Sequence, residues 1–141
     1  MQISARNQFP GRVTALVPGP VNAEVTLALA GGDSLVAVVT QGSVVALGLA
    51  VGGHATAIVE APWVTLAVGG SSNGLVVPNQ LAGVVHSITP GAINAEVALQ
   101  LTGGTVVHAV VTQAAVQEMG LAPGVPARAV VAAAQVVLAV P

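Results

Sequence analysis

Short stretches of alternating hydrophobic and polar residues recur along the chain and predict β-strands. Residues 24–29 (Glu-Val-Thr-Leu-Ala-Leu) and 96–101 (Glu-Val-Ala-Leu-Gln-Leu) alternate with the side-chain period of a strand that buries one face. A glycine pair follows each stretch, and glycine tolerates the positive φ that tight hairpin turns require. The pattern predicts a β-hairpin in each half of the chain, with turns at residues 31–33 and 103–105 and second strands at 35–40 and 106–112.

The rest of each half predicts one short helix and two closing strands. The helices are expected at residues 43–49 and 115–121, which are short, rich in Ala, Leu, Val and Met, and followed by glycine. Five short strands with one helix between the third and the fourth are typical of a small OB-like barrel. The predicted fold is all-β, with two tandem OB-like five-stranded barrels, each carrying one short helix. The strands that close the copies are predicted at 55–60 with 63–68 and at 127–132 with 136–140.

The two halves are copies of one segment. Asn7 recurs as Asn79 and Thr40 as Thr112, so the period is 72 residues (79 − 7 and 112 − 40). Roughly half of the aligned positions are identical, which indicates two copies of one folding unit. We predict domains at residues 1–68 (the first copy) and 75–141 (the second copy), joined by a flexible Gly-Gly-Ser-Ser-Asn-Gly linker at 69–74.

Composition favours an assembled protein. Hydrophobic residues make up 54% of the chain and charged residues 6%, and the mean hydropathy is +0.87. A membrane helix needs about 18 or more uninterrupted apolar residues, and polar residues or glycines interrupt the longest candidates, at 44–59 and 125–140. We therefore expect no membrane partner, and burial between subunits instead. No cysteine and no secretory signal are visible, so the cytoplasm is the expected location.

Charge and motifs argue against two further classes of function. Three arginines against five acidic residues leave no basic patch, and one Trp with one Phe gives no stacking surface, so nucleic acid is not an expected partner. No pair among His54, His86 and His108 has metal-ligand spacing, and we interpret all three as isolated. No nucleophile elbow, Ser/His/Asp order or phosphate loop is present, so an enzyme is not predicted.

Two groups of polar residues have the chemistry of an anion site. Ser4 and Arg6 open the first copy with a hydroxyl and a guanidinium. Thr40 and Ser43 lie at a strand-to-helix junction, where hydroxyls and backbone N–H groups converge. The alternatives are a surface ion pair for Arg6 and simple helix capping for the two hydroxyls.

The most strictly repeated polar triplets are Asn22-Ala23-Glu24 and Asn94-Ala95-Glu96. Their asparagines and neighbouring amides could line an anion site or a symmetry axis. The alternative is an asparagine that holds a turn through side-chain-to-backbone hydrogen bonds, with glutamate at the start of the strand. The sequence leaves both interpretations open.

Together these residues resemble the molybdate-binding Mop, or molbindin, family, specifically its tandem two-domain members. The resemblance extends over essentially the whole chain in two copies. It is fairly specific as a set, although each motif alone is weak. The motifs that carry it are Ile3-Ser4-Ala5-Arg6-Asn7, Gly19-Pro20-Val21-Asn22-Ala23-Glu24-Val25, Val38-Val39-Thr40, Gly48-Leu49 and Ala61-Pro62-Trp63-Val64.

The resemblance implies OB-like modules, a homotrimer around a three-fold axis, and molybdate or tungstate as the bound ligand in the cytoplasm. It implies two kinds of site between modules. The first uses Ser4, Ala5, Arg6 and the region of Ala61, facing Thr40 and Ser43 of a neighbouring module. The second lies near the three-fold axis and uses the loops Val21-Asn22-Ala23 and Ile93-Asn94-Ala95.

Several residues depart from the family pattern. Glu60 stands where the family commonly has lysine; its carboxylate would repel an oxyanion or pair with Arg6. In the second copy the opening motif is Val76-Val77-Pro78-Asn79, while Ala132 and Ala115 replace the lysine and the second hydroxyl. The axial loops are retained in both copies, so the axial site is the more strongly predicted of the two.

The sequence therefore predicts a non-enzymatic cytoplasmic protein that binds molybdate or tungstate for molybdenum storage and homeostasis. The alternative is a trimeric Mop-like scaffold whose anion sites have degenerated or been redesigned and bind little or no molybdate. Three cationic residues, a net charge of −2, Glu60 and the Val/Ala-rich composition favour that alternative. With this charge balance, long-range attraction for an anion should be weak or unfavourable.

Overall fold

The computed structural model describes residues 2–70, 74–75 and 77–141. Residues 71–73 of the predicted linker and Val76 of the second opening motif lie outside this described part. The first copy contains β1 (Asn7–Pro18), β2 (Asn22–Leu29), β3 (Ser34–Thr40), α1 (Gln41–Leu47), β4 (His54–Val59) and β5 (Thr65–Ala67). The second contains β6 (Asn79–Pro90), β7 (Asn94–Leu101), β8 (Val106–Thr112), α2 (Gln113–Glu118), β9 (Pro126–Val131) and β10 (Val137–Ala139). A 3-10 turn precedes each last strand, at Ala61–Trp63 and Ala133–Gln135.

A long, bent first strand curls each sheet into a barrel. Residues 7–12 of β1 pair with β4, and residues 11–18 pair with β2. The register shifts between Val13 and Ala15, and such a bulge bends a strand and increases its twist. The same shift occurs in β6 between Val85 and Ser87. The prediction of two OB-like five-stranded barrels with one short helix each is confirmed.

The helices begin two residues before their predicted starts. Thr40 is the N-cap of α1, and its Oγ1 accepts a hydrogen bond from the backbone N–H of Ser43 at 3.1 Å. The helix ends at Gly48, which has φ +63 and so adopts the left-handed conformation that favours glycine. Thr112 caps α2 in the same way. The capping alternative given for Thr40 is confirmed.

The last strand of each copy belongs to the other copy's barrel. The sheet orders are β10-β4-β1-β2-β3 and β5-β9-β6-β7-β8. Thus β10 pairs with β4, with Leu138 opposite Ala57, and β5 pairs with β9, with Leu66 opposite Ala129. The expectation that residues 63–68 and 136–140 close their own copies is wrong. A β-strand can pair with any free sheet edge that lets it bury its apolar face. Because the copies are alike, β4 and β9 offer equivalent edges to β5 and β10.

The two barrels share one hydrophobic core as a result. Inward-facing residues of β2 and β7, such as Leu27 and Leu99, are fully buried. Leu66 and Leu138, on the exchanged strands, belong to the same core cluster. No helix in the described part of the chain has the length and apolar character needed to cross a bilayer.

The hairpin turns of the two copies meet back to back. A Cβ on Gly31 would lie 2.5 Å from the carbonyl oxygen of Gly103, and a Cβ on Gly103 would lie 2.1 Å from that of Gly31. Only glycine allows this approach, because the opposing atoms are backbone and cannot rotate away. Residues 31 and 103 are related by the repeat, so the contact marks the pseudo-two-fold relation between the copies.

Candidate functional site

Two buried asparagines join the copies beside the candidate sites. Asn7 Oδ1 accepts from the backbone N–H of His108 at 2.7 Å, and Asn7 Nδ2 donates to the His108 carbonyl at 2.8 Å. Asn79 makes the same pair of bonds with Val36, both at 2.7 Å. Each side chain mimics a peptide group and satisfies the backbone of an edge strand, β8 or β3.

Neither asparagine is among the site residues that the sequence predicts. Their side chains are 1% exposed, yet in sequence they are polar residues at the start of a strand. The signal that could have found them is the exact repetition of Asn-Gln at both openings. These hydrogen bonds hold the start of the first copy against β8 of the second, and the start of the second copy against β3 of the first.

Arg6 forms a cluster with two residues of the second copy. Its Nη2 and Nε donate to Oε1 of Glu96 at 2.9 and 3.2 Å. His108 Nδ1 lies 3.1 Å from the same oxygen and 3.3 Å from Arg6 Nη2. The alternative of a surface ion pair for Arg6 is confirmed, but its carboxylate partner is Glu96 and not Glu60. His108 is not isolated as predicted, because Asn7 holds its backbone beside Arg6 and Glu96.

Thr40 and Ser43 line a cleft of about 360 Å³ with Asn22. The two hydroxyl oxygens lie 2.7 Å apart, and Asn22 is opposite Thr40 in the β2–β3 register. The other wall comes from the second copy, around Ala134 and residues 136–138. We call this the Asn22 cleft. It brings together residues that the sequence assigned to two different kinds of site.

Ser4, Ala5, Arg6 and Ala61 do not line the Asn22 cleft. Ser4 and Arg6 are exposed, whereas Ala5 and Ala61 are buried. The turn that begins at Ala61 packs against β8 of the second copy, the strand that also receives Asn7. Within one chain the guanidinium and the paired hydroxyls therefore belong to different regions. A site that used both would have to combine residues from two chains.

The axial-loop residues have the same geometry in both copies. The Val21 carbonyl accepts from the Gln41 N–H at 2.8 Å, and the Ile93 carbonyl accepts from the Gln113 N–H at 2.7 Å. Val21 and Ile93 are 70% and 76% exposed, with Asn22 and Asn94 exposed beside them. The remaining loop residues, Ala23 and Ala95, are buried under the loops.

The described residues offer no site for a bare metal cation. They contain no group of three or more His, Cys, Asp or Glu side chains placed to hold one. His54 is exposed and lies opposite Arg12 in the β1–β4 register, and His86 is exposed on β6. The candidate site residues present the hydroxyls of Ser4, Thr40 and Ser43, the amides of Asn22 and Asn94 and the guanidinium of Arg6, and these groups donate hydrogen bonds to anions.

Comparison with known proteins gives matches along the whole chain. A family model described as the TOBE domain matches twice, at residues 3–66 and 77–138. The molybdenum-pterin-binding protein MopA of Rhodobacter capsulatus is 43% identical over 141 residues, covering 100% of this chain and 53% of that protein. Molybdenum-pterin-binding protein 2 of Clostridium pasteurianum is 45% identical over 60 residues, covering 43% of this chain and 88% of that protein.

A solved structure resembles the molecule closely. It is described as the cytoplasmic molybdate-binding protein ModG, in a PEG-grown form with molybdate bound, and it matches with a TM-score of 0.94 and 52% identity over 100% of both chains. The chain thus has the full extent of the ModG chain, while it spans about half the length of MopA and of other long curated relatives.

Proposed function

The chain belongs to the TOBE-domain family as a tandem, Mop-like member, and from that premise we propose that it binds molybdate or tungstate without catalysing a reaction. Its role would be to store and buffer molybdenum in the cytoplasm. MopA and molybdenum-pterin-binding protein 2 are binding proteins by name, which supports a binding role.

One observation carries this proposal. The match to ModG with molybdate bound extends over the whole of both chains at 52% identity. At that identity and with a TM-score of 0.94, each loop of this chain has a counterpart in a protein that holds the anion. The described cytoplasmic location of ModG supports the same location here.

The Asn22 cleft has suitable chemistry for an oxyanion. Thr40 and Ser43 present two hydroxyls, one of which donates to the other, and Asn22 presents an amide. One hydroxyl and the amide can thus donate hydrogen bonds to oxygens of molybdate. None of the described residues that line the cleft is acidic. Since a bound dianion needs donors and little negative charge nearby, this cleft is a stronger candidate than the Arg6 cluster, where Glu96 is present.

We also propose that the axial loops come together in a homotrimer and form a further site there. Val21 and Ile93 expose most of their surface, and Val45 on α1 is 75% exposed. Apolar side chains of this size are more stable when a neighbouring subunit covers them. Gel filtration with light scattering should give about three times the 13.6 kDa chain mass; a mass near one chain would contradict the trimer.

Calorimetric titration with sodium molybdate tests the binding proposal. We expect a saturable heat signal for molybdate and for tungstate. The Asn22→Ala/Asn94→Ala double variant should lose the sites that depend on the loop asparagines and retain its fold. Absence of heat at about millimolar ligand would contradict binding and favour the scaffold alternative.

Arg6→Ala separates the two kinds of site. If a site between chains uses Ser4, Ala5, Arg6 and Ala61, this variant should bind fewer molybdate ions per chain. The sites that use Asn22 and Asn94 should be unaffected, because Arg6 does not line the Asn22 cleft. Loss of all binding would mean that Arg6 serves every site.

A further inference from the structure

In the Arg6 cluster, the side-chain nitrogens of Arg6 and His108 surround a single carboxylate oxygen, that of Glu96. Arg6 Nε and Nη2 both donate to Glu96 Oε1, and the His108 ring nitrogen lies 3.1 Å from that oxygen. An arginine and an imidazole converging on one oxygen is the arrangement that recognises an external oxyanion. Here the oxygen is supplied by the protein itself.

Space for a small anion lies beside the cluster. A cleft of about 220 Å³ separates the copies; we call it the Arg6 cleft. The first copy contributes Arg6 and Gln8 to its walls, and the second contributes Thr105 and His108. An oxyanion in this cleft could receive hydrogen bonds from the Arg6 guanidinium and the Thr105 hydroxyl. The Gln8 amide nitrogen already donates to the carbonyls of Ile3 and Ala5. The oxyanion would have to take Arg6 from Glu96 and would experience repulsion from that carboxylate.

The other copy has a glutamate at the position of Glu96, but no arginine or histidine beside it. Glu24 corresponds to Glu96, but Pro78 stands where Arg6 would be and Val36 where His108 would be. Glu24 is exposed and has no guanidinium or imidazole partner among the described residues. The two glutamates therefore have the same location on the fold and different neighbours.

We propose that Glu96 is an internal competitor that sets the oxyanion affinity of the Arg6 cleft. The proposal rests on the proposed function, since it assumes that the protein binds an oxyanion. Glu96 holds Arg6 while the cleft is empty, and a bound oxyanion replaces the carboxylate as the acceptor of the Arg6 hydrogen bonds. Glu96 thereby restricts the cleft to anions that bind Arg6 better than a carboxylate does.

Glu96→Gln tests this directly, with Glu24→Gln as the matched control. Both substitutions keep the side-chain size and raise the net charge by one, so a general electrostatic effect would be equal in the two variants. We expect Glu96→Gln to bind molybdate two- to fivefold more tightly at an Arg6-dependent site, the range that corresponds to a partly exposed ion pair. Glu24→Gln should bind as the unmodified protein does.

A double-mutant cycle with Arg6→Ala identifies the partner. In the Arg6→Ala background, Glu96→Gln should no longer change the affinity, because the side chain for which Glu96 competes is gone. Thermal unfolding of each variant, followed by circular dichroism, checks that the fold is retained.

The failures can be told apart. Equal affinities of the unmodified protein and Glu96→Gln, or an equal gain in Glu24→Gln, would overturn the role of Glu96 and leave the proposed function intact. A persistent Glu96→Gln effect without Arg6 would overturn it too. No molybdate binding by the unmodified protein or any variant would overturn the proposed function, and this inference with it.

Discussion

The Asn79 side chain satisfies both backbone groups of Val36, accepting from its N–H and donating to its carbonyl at 2.7 Å each. Val36 lies on β3, the edge strand of the first barrel, whereas Asn79 begins the second copy. Asn7 and His108 repeat the relation with the copies reversed. The copies are thus joined by two buried amide clamps in addition to the exchanged strands.

Removing one clamp should destabilise the whole chain. Asn79→Ala leaves the N–H and carbonyl of Val36 without their partner, and we expect the free energy of unfolding to fall by about 2–4 kcal/mol. Urea denaturation followed by circular dichroism measures it. Asn94→Ala, at an exposed asparagine, should cost much less. Equal losses in the two variants would show that the clamp is not the source of the stability.

Methyl groups on two glycines should have opposite effects. Gly31→Ala places a Cβ 2.5 Å from the Gly103 carbonyl oxygen, and forcing the turns apart should cost about 1–3 kcal/mol of unfolding free energy. Gly42→Ala lies in α1, where its Cβ meets nothing closer than 3.9 Å. The second copy already has Ala114 at that position.

We expect Gly42→Ala to raise the unfolding free energy by about 0.5–1 kcal/mol, since alanine loses less backbone entropy than glycine in a helix. Thermal unfolding of the two variants side by side compares them. A stable Gly31→Ala protein would mean that the turns can separate without loss.

Strand exchange predicts that core mutations act in the other copy. Leu138 is buried and lies on β10, opposite Ala57 of β4. Leu138→Ala should cost about 2–5 kcal/mol, and amide hydrogen exchange should accelerate first in β4. Leu66→Ala is the matched variant, and it should act on β9. Faster exchange in β9 for Leu138→Ala would indicate that each strand closes its own copy.

The difference between Ser43 and Ala115 predicts unequal clefts. These residues correspond in the repeat, and only Ser43 adds a hydroxyl next to its threonine. If the Asn22 cleft binds molybdate as proposed, Ser43→Ala should weaken that site by about 0.5–1.5 kcal/mol, the usual net value of one hydrogen bond. Ala115→Ser should strengthen the corresponding site, and calorimetry on both variants measures the change. No change in either would exclude these hydroxyls from binding.

The sequence predicted the elements and the barrels because those depend on local chemistry. Alternation placed β2 and β7, the glycine pairs placed the hairpin turns, and helix capping was one of the two interpretations of Thr40. The helices start earlier than predicted because a cap lies one residue before the helix, whereas the apolar pattern begins further along.

The partners of β5 and β10 could not be predicted, because β4 and β9 present nearly equivalent edges and the alternation of a strand does not specify which edge it meets.

The contacts of the candidate site residues across the two copies could not be predicted for the same reason. The sequence correctly gave Arg6 as an ion-pair candidate, but the only partner that it suggested was Glu60. Only the docking of the copies brings Glu96 and His108 next to Arg6. Asn7 and Asn79 were missed because burial of a polar side chain is decided by the neighbouring copy.

The exchanged strands also determine when each barrel can complete its folding during synthesis. The first barrel lacks its edge strand until β10 pairs with β4, and β10 is a strand of the second copy, which follows the whole of the first in sequence. During synthesis on a ribosome, the sheet of the first barrel therefore stays incomplete until the second copy has been synthesised. The first barrel is therefore completed by residues of the copy that is synthesised after it, and the two barrels reach their native state together.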